Sequence, residues 1–166
     1  MEFKYSVSKQ DYIDFNLNYF NNNAVVQRSI WMMRVATAVI VIIGGSVLMY
    51  WLHALTVVSG FVYLALAAVC FFGTPWYMRH KMVKNVEKIL KNAKNKQLCG
   101  PKTLILRDDD FELRGENEDT VYQYDAVQRT ASDDKHYFIF VDEFSAIIVP
   151  FEAFGSMDEQ RSFYER

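Results

Sequence analysis

Three histidines, His53, His80 and His136, are the side chains best suited to acid–base or metal chemistry. Their spacing fits neither an H-x-x-x-H pair nor an H-E-x-x-H zinc motif, so no metal site is expected. Asp108, Asp109 and Asp110 are of the type that holds Ca²⁺ or Mg²⁺. A calcium loop begun at Asp108, however, puts Leu113 at the glycine position and Asp119 at the bidentate-glutamate position, and one begun at Asp110 ends on Val121. A solvated turn is the better reading. Cys70 lies inside an apolar run and Cys99 beside a linker on the reducing side of a membrane, so no disulfide is expected. There is no G-x-S-x-G elbow, phosphate loop or glycine-rich dinucleotide fingerprint. These residues predict a non-enzymatic protein with no catalytic residue, cofactor or metal.

One constellation has a physical partner in view. Arg79, Lys81, Lys84, Lys88, Lys91, Lys94 and Lys96 face a single acid, Glu87. A Lys or Arg near an anionic leaflet contributes about 1 kcal/mol, fading within a Debye length. Arg79, Lys81, Lys84, Lys88 and Lys91 are therefore the candidates for contact with lipid headgroups or with an acidic protein face. The plainer reading is ordinary positive-inside flanking of a span.

The elements that must carry these residues follow from an uncharged run. No Asp, Glu, Lys or Arg occurs from Val35 to Met78, 44 residues in all. A single helix of that length would be about 66 Å long, twice the hydrocarbon thickness of a bilayer, so the run predicts a transmembrane hairpin. The turn is placed at Trp51-Leu52-His53-Ala54, with spans near residues 30–51 and 55–77. Tyr50, Trp51, Trp31 and the Trp76-Tyr77 pair sit near the interfaces. Basic residues flank both outer ends and are missing from the turn, which predicts cytoplasmic N- and C-termini; no N-terminal signal peptide is expected. Ala38 and Gly45 in the first span, and Gly60 and Ala67 in the second, are the small residues expected to pack the helices together. A dimerisation face, and hence a homo-oligomer, is the weaker reading because no G-x-x-x-G occurs.

Beyond Met78, Met82, Val86, Ile89, Leu90 and Ala93 keep helical spacing, so the second helix is expected to continue as far as Gly100-Pro101. From Thr103 the apolar period becomes two: Leu104/Leu106, Phe111/Leu113 and Tyr122/Tyr124 alternate. Turn signals stand at Asp108–Asp110 and at Gly115-Glu116-Asn117. Two apolar strands, His136–Val141 and Phe144–Val149, predict a central hairpin covered on both faces. Ser156 with Glu159 opens a short final helix. Phe3, Tyr5 and Val7 alternate like a strand, and Ser8 with Asp11 caps a helix from Lys9 to about Asn21. Six strands are counted in residues 103–149, and the N-terminal strand is a candidate seventh. The halves are opposite in charge, +8 over residues 1–102 and −10 over 103–166, so the whole chain does not read as a nucleic-acid binder.

The opening FKYSVSKQDYIDFNLNYF, the two spans, the Lys-rich helix and the distal KHYFIFVDEFSAIIVPFEAF resemble a bacterial family of small membrane proteins known as YcxB-like. That resemblance implies a C-terminal domain similar to pleckstrin-homology-type barrels, and implies no chemistry. The expected fold is an α+β membrane protein: a two-helix transmembrane hairpin and a small antiparallel β-barrel or sandwich with a C-terminal helix. Its expected segments are a strand and amphipathic helix (1–29), the hairpin (30–78), a basic helix and linker (79–102) and a cytoplasmic β domain (103–166). The expected location is the bacterial cell membrane, with an anionic bilayer and an unidentified protein as partners. The leading functional expectation is a membrane-anchored interaction or regulatory module. The alternative is an immunity protein that neutralises a membrane-acting or secreted toxin, which a toxin gene immediately upstream would favour.

Overall fold

The computed structural model describes residues 1–53, 56–116, 119–142 and 145–164, with the backbone alone at 93, 94 and 96. Strand β1 (Glu2–Val7) is followed by helices α1 (Lys9–Asn22), α2 (Ala24–Trp51) and α3 (Val57–Lys91). Strands β2 (Gly100–Leu106), β3 (Asp110–Arg114), β4 (Asp119–Gln123), β5 (Arg129–Ser132), β6 (His136–Phe140) and β7 (Ala146–Pro150) come next, and helix α4 (Met157–Tyr164) is last. Two units result: Met1–Asn18 with Asn85–Arg166, and Tyr19–Lys84.

In the first unit the period-two segments build two antiparallel sheets, ordered β1-β2-β3-β4 and β5-β6-β7. The N-terminal strand takes an edge of the first: Phe3 lies opposite Leu104 and Val7 opposite Gly100. Its alternation turns Phe3 and Tyr5 into the core, where Leu104, Leu106, Phe111, Ile147, Val149 and Phe163 meet. Residues from both sheets and α4 thus share one core. The expected barrel does not close: among the described residues no ladder joins β4 to β5, and a short 3₁₀ turn over Tyr124–Ala126 carries the chain from one sheet to the other. Tyr124, expected in a strand, lies in that turn.

The β6–β7 hairpin is covered on both faces, as its nearly continuous apolar sequence requires. Tyr137 and Ile139 pack against the shared core. On the opposite face Phe138 and Phe140 meet Phe15 of α1, with ring centroids 5.5 and 5.8 Å apart. The expected strand start at Phe144, the turn residue Glu143 and the turn residue Asn117 lie outside the described residues. Helix α4 opens on a capping box: Ser156 Oγ accepts from Glu159 N–H, and the Glu159 carboxylate accepts from Gly155 N–H.

In the second unit α2 starts before the expected span. Asn23 accepts from the backbone N–H groups of Val25 and Val26 and so caps it at Ala24. Helices α2 and α3 each contain an 18-residue window, of mean hydropathy 2.0 and 2.1 respectively, and are long and apolar enough to cross a membrane. At the turn His53 takes a left-handed conformation (φ 53°); Ala54 and Leu55 lie outside the described residues. Thr56 and Ser59 cap α3 reciprocally, each side-chain oxygen accepting from the other's N–H.

Helix α3 ends at Lys91, short of Gly100-Pro101. Asn95 explains the early stop: its Nδ2 donates to the Ile89 carbonyl, an acceptor that the next helical turn would have used. Gly100, at φ 113°, opens β2 instead of closing the helix.

Candidate functional site

Within the β unit the alternation of β6 lays Tyr137 and Ile139 along the floor of a cavity of about 460 Å³. Its other walls come from Leu106 and Phe111 of the first sheet, Tyr124 and Val127 after β4, Thr130 of β5, and Phe163 and Tyr164 of α4. Among the described residues, no Lys, Arg, His, Asp or Glu lines it. The polar groups available there are hydroxyls, a composition that suits an apolar side chain and leaves a phosphate without a cation. Beside the cavity, β5 is an edge strand, and among the described residues no further strand pairs with it.

His136 lies on the opposite face of the same hairpin and is 2 % exposed. Its Nδ1 meets Asp133 at 3.0 Å and its Nε2 meets Asp11 at 3.3 Å. Carboxylates accept only, so both contacts are hydrogen bonds only when both ring nitrogens carry protons. Asp11 is the residue that caps α1: its carboxylate accepts from the Ser8 N–H at 2.7 Å while its own N–H donates to Ser8 Oγ. Burial alone would raise the Asp11 pKa. The Ser8 hydrogen bonds and the nearby His136 outweigh burial and hold the carboxyl below its ordinary value. The cluster ties α1 to β6 and is closed to solvent at the imidazole, so it serves structure. Sequence spacing legible as an N-cap thus identified Asp11, but the link to His136 carried no local signal.

Glu112 of β3 is a second charged cluster. Arg114 donates through Nε at 2.6 Å, and Arg107 donates to the other carboxylate oxygen. The Arg114 hydrogen bond, followed against desolvation by the charges of Arg114 and Arg107, lowers the carboxyl's pKa. Asp108 and Asp109 stand in the exposed β2–β3 turn, where Asp110 pairs with Arg107. Among the described residues, no three His, Cys, Asp or Glu side chains gather as a metal would need, and both cysteines are free.

The expected contact residues Arg79, Lys81, Lys84, Lys88 and Lys91 are all exposed. Val86 and Leu90 turn the other way and are buried, so Lys84, Lys88 and Lys91 form a solvent stripe. Among the described residues none of the three makes an ion pair. The small residues divide. Gly45 is buried where a Cβ would come 2.3 Å from the Tyr63 ring, and Ala67 is buried as well. Ala38 is half-buried, while Gly60 is exposed with nothing within 4 Å of a Cβ placed on it. The close approach of α2 and α3 therefore rests on Gly45 against Tyr63, and Gly60 takes no part in it.

Fold and sites together define an α+β protein with two long apolar helices and a two-sheet domain whose cleft is apolar. Residues 106–165 match the family described as YcxB-like protein. The chain thus carries a YcxB-like domain, and the resemblance read from its sequence holds over that stretch. No curated protein and no solved structure matches the chain.

Proposed function

We propose that this chain is a non-enzymatic interaction module, anchored in a membrane by α2 and α3, whose β domain takes an extended peptide between β5 and α4. The carrying observation is the cavity of about 460 Å³, walled among the described residues by apolar and aromatic side chains and Thr130, with no charged group, beside an edge strand. An added strand would satisfy the outer backbone groups of β5 while sinking one apolar side chain into the cavity. A pleckstrin-homology-type layout is supported by strand order: four strands, then three, then a C-terminal helix. Recognition of a phosphoinositide in this cleft is disfavoured, since among the described residues no cation lines it.

Membrane anchoring is supported by exposure as much as by hydropathy. A helix from the core of a soluble protein is mostly buried, whereas the most apolar windows of α2 and α3 are 0 % and 6 % buried. Ile40, Ile43, Val47, Phe61, Val69 and Phe72 all face outward. Such a surface needs lipid or a partner to cover it.

The test is a displayed library of random peptides panned against the full chain in lipid nanodiscs. Binders with a shared apolar anchor, lost on Thr130→Arg, are expected. An empty selection, or binders that Thr130→Arg leaves untouched, would remove the cleft from consideration.

A further inference from the structure

The second unit has a charge problem of its own. Between Tyr19 and Lys84 the sequence carries five cations (Arg28, Arg34, Arg79, Lys81 and Lys84) and no Asp or Glu. Most of these sit in the open, where water serves them. Arg34 is half-buried, and among the described residues its buried Nε has no hydrogen-bond partner. Its guanidinium lies 5.9 Å from the centre of the Phe71 ring, a favourable contact for the cation that leaves the Nε–H without an oxygen acceptor. A buried N–H donor costs stability unless an acceptor meets it.

The place where the acceptors would come from is a cavity of about 310 Å³. Arg34 and Arg79 both line it, with Gln27 and Asn21 as further polar groups and Phe20, Ile30 and Trp76 as apolar walls. Gln27 is already committed, its Nε2 donating to the Phe20 carbonyl at 2.6 Å. Pro75, also at the cavity, brings no N–H. The cavity therefore offers two guanidinium groups, each able to grip oxyanions with paired N–H donors, and no carboxylate to neutralise them.

We propose that this cavity binds the phosphate of an anionic phospholipid, held between Arg34 and Arg79 with its glycerol and upper acyl carbons against Trp76 and Ile30. A phosphate supplies several acceptor oxygens and the negative charge that the unit lacks. A lipid is favoured over free phosphate by the walls, since Phe20, Ile30 and Trp76 have nothing to offer an inorganic ion. A net-negative headgroup is favoured over a zwitterionic one because two cations converge without an acid. The inference is independent of the peptide cleft, which lies in the other unit, and each can fail without the other.

Full-length chain is reconstituted in phosphatidylcholine nanodiscs containing graded phosphatidylglycerol, released into mild detergent, and the retained lipid counted by native mass spectrometry. Wild type should keep one phosphatidylglycerol in preference to phosphatidylcholine. Arg34→Gln and Arg79→Gln should each weaken that preference about five- to tenfold, the loss of one near-surface cation. Arg28→Gln, an exposed arginine of the same helix outside the cavity, should leave it unchanged. Arg34→Lys keeps the charge without the fork and should retain phosphatidylglycerol better than Arg34→Gln, which separates ligand loss from misfolding. Equal retention of both lipids by wild type, or an Arg28→Gln loss as large as the Arg34→Gln loss, would overturn the proposal. Complete displacement by millimolar inorganic phosphate would overturn it too, by assigning the cavity to the free ion.

Discussion

Single residues show where local sequence was enough and where it was not. Ser8 and Asp11 announce an N-cap by their spacing, and both reciprocal bonds are present. Nothing near His136 announces that Asp11 will meet it, because that contact exists only once α1 lies on the β6–β7 hairpin. The same limit hides Tyr5: its alternation correctly turns it inward, but its hydroxyl ends buried with no hydrogen-bond partner among the described residues. Burial pushes the Tyr5 phenol well above its ordinary pKa. Tyr5→Phe removes a buried polar atom that gains nothing, and should stabilise the unit by about 1 kcal/mol, read as a higher thermal midpoint. A lower midpoint would mean that the hydroxyl has a partner after all. Acid should act in the opposite direction through Asp11 and Glu112. Both carboxyls are held below their ordinary values, so their contribution is complete above the unfolded carboxylate range, near pH 4, and is lost as pH falls through the lower folded values. Thermal midpoints measured from pH 7 to pH 3 should fall across that acid window, and the double variant Asp11→Asn, Glu112→Gln should show a flatter profile.

Elements were legible in proportion to how much of their sequence serves the element itself. Strands with apolar alternation and the capped helices α1 and α4 stood out, whereas β5, Arg-Thr-Ala-Ser, has no apolar alternation and earns its place by pairing with β6, Arg129 opposite Phe140. Across that pair the guanidinium of Arg129 lies 3.6 Å from the Phe140 ring centre. The end of α3 misled for a related reason. Apolar spacing continues to Ala93, but Asn95 turns back on the Ile89 carbonyl and closes the helix first. Small residues in α2 and α3 give the plainest test at this scale, since sequence spacing treated Gly45 and Gly60 alike and structure separates them. Gly45→Leu must displace Tyr63 and should cost the helix pair about 1–3 kcal/mol, measured as a lower unfolding midpoint in detergent. Gly60→Leu meets open space and should leave the midpoint within about 0.5 kcal/mol. Equal losses would show that the glycines act through helix propensity and not through the Tyr63 contact.

At the scale of the whole molecule, strand pairing constrains topology. β1 precedes both apolar helices, β2 follows both, and the two strands pair along six residues, Glu2↔Ile105 through Val7↔Gly100. Strands that share a ladder must lie on one side of any membrane the helices cross, so the chain must make an even number of crossings. Two helices satisfy this and one would not. Neither hydropathy nor charge alone carries that argument: hydropathy finds the helices, and the ladder requires them to act together. Which side the β domain occupies is then a question of charge. Arg28 and Arg34 near the start of α2 and Arg79, Lys81 and Lys84 in α3 are the basic residues nearest the β domain along the chain, while the turn at His53 has no Lys or Arg around it, so the positive-inside rule predicts a cytoplasmic β domain. Alkaline phosphatase, active only outside the cytoplasm, should be inactive when fused after the β domain and active when inserted at His53. A fluorescent protein that matures only in the cytoplasm should give the reverse pattern. Activity at both positions, or at neither, would put the turn and the β domain on one side and remove the two crossings; activity at the β domain alone would keep two crossings and invert their direction. In that case the basic cavity of Arg34 and Arg79 would face the outer leaflet, and lipid retention measured in asymmetric vesicles would have to follow it there.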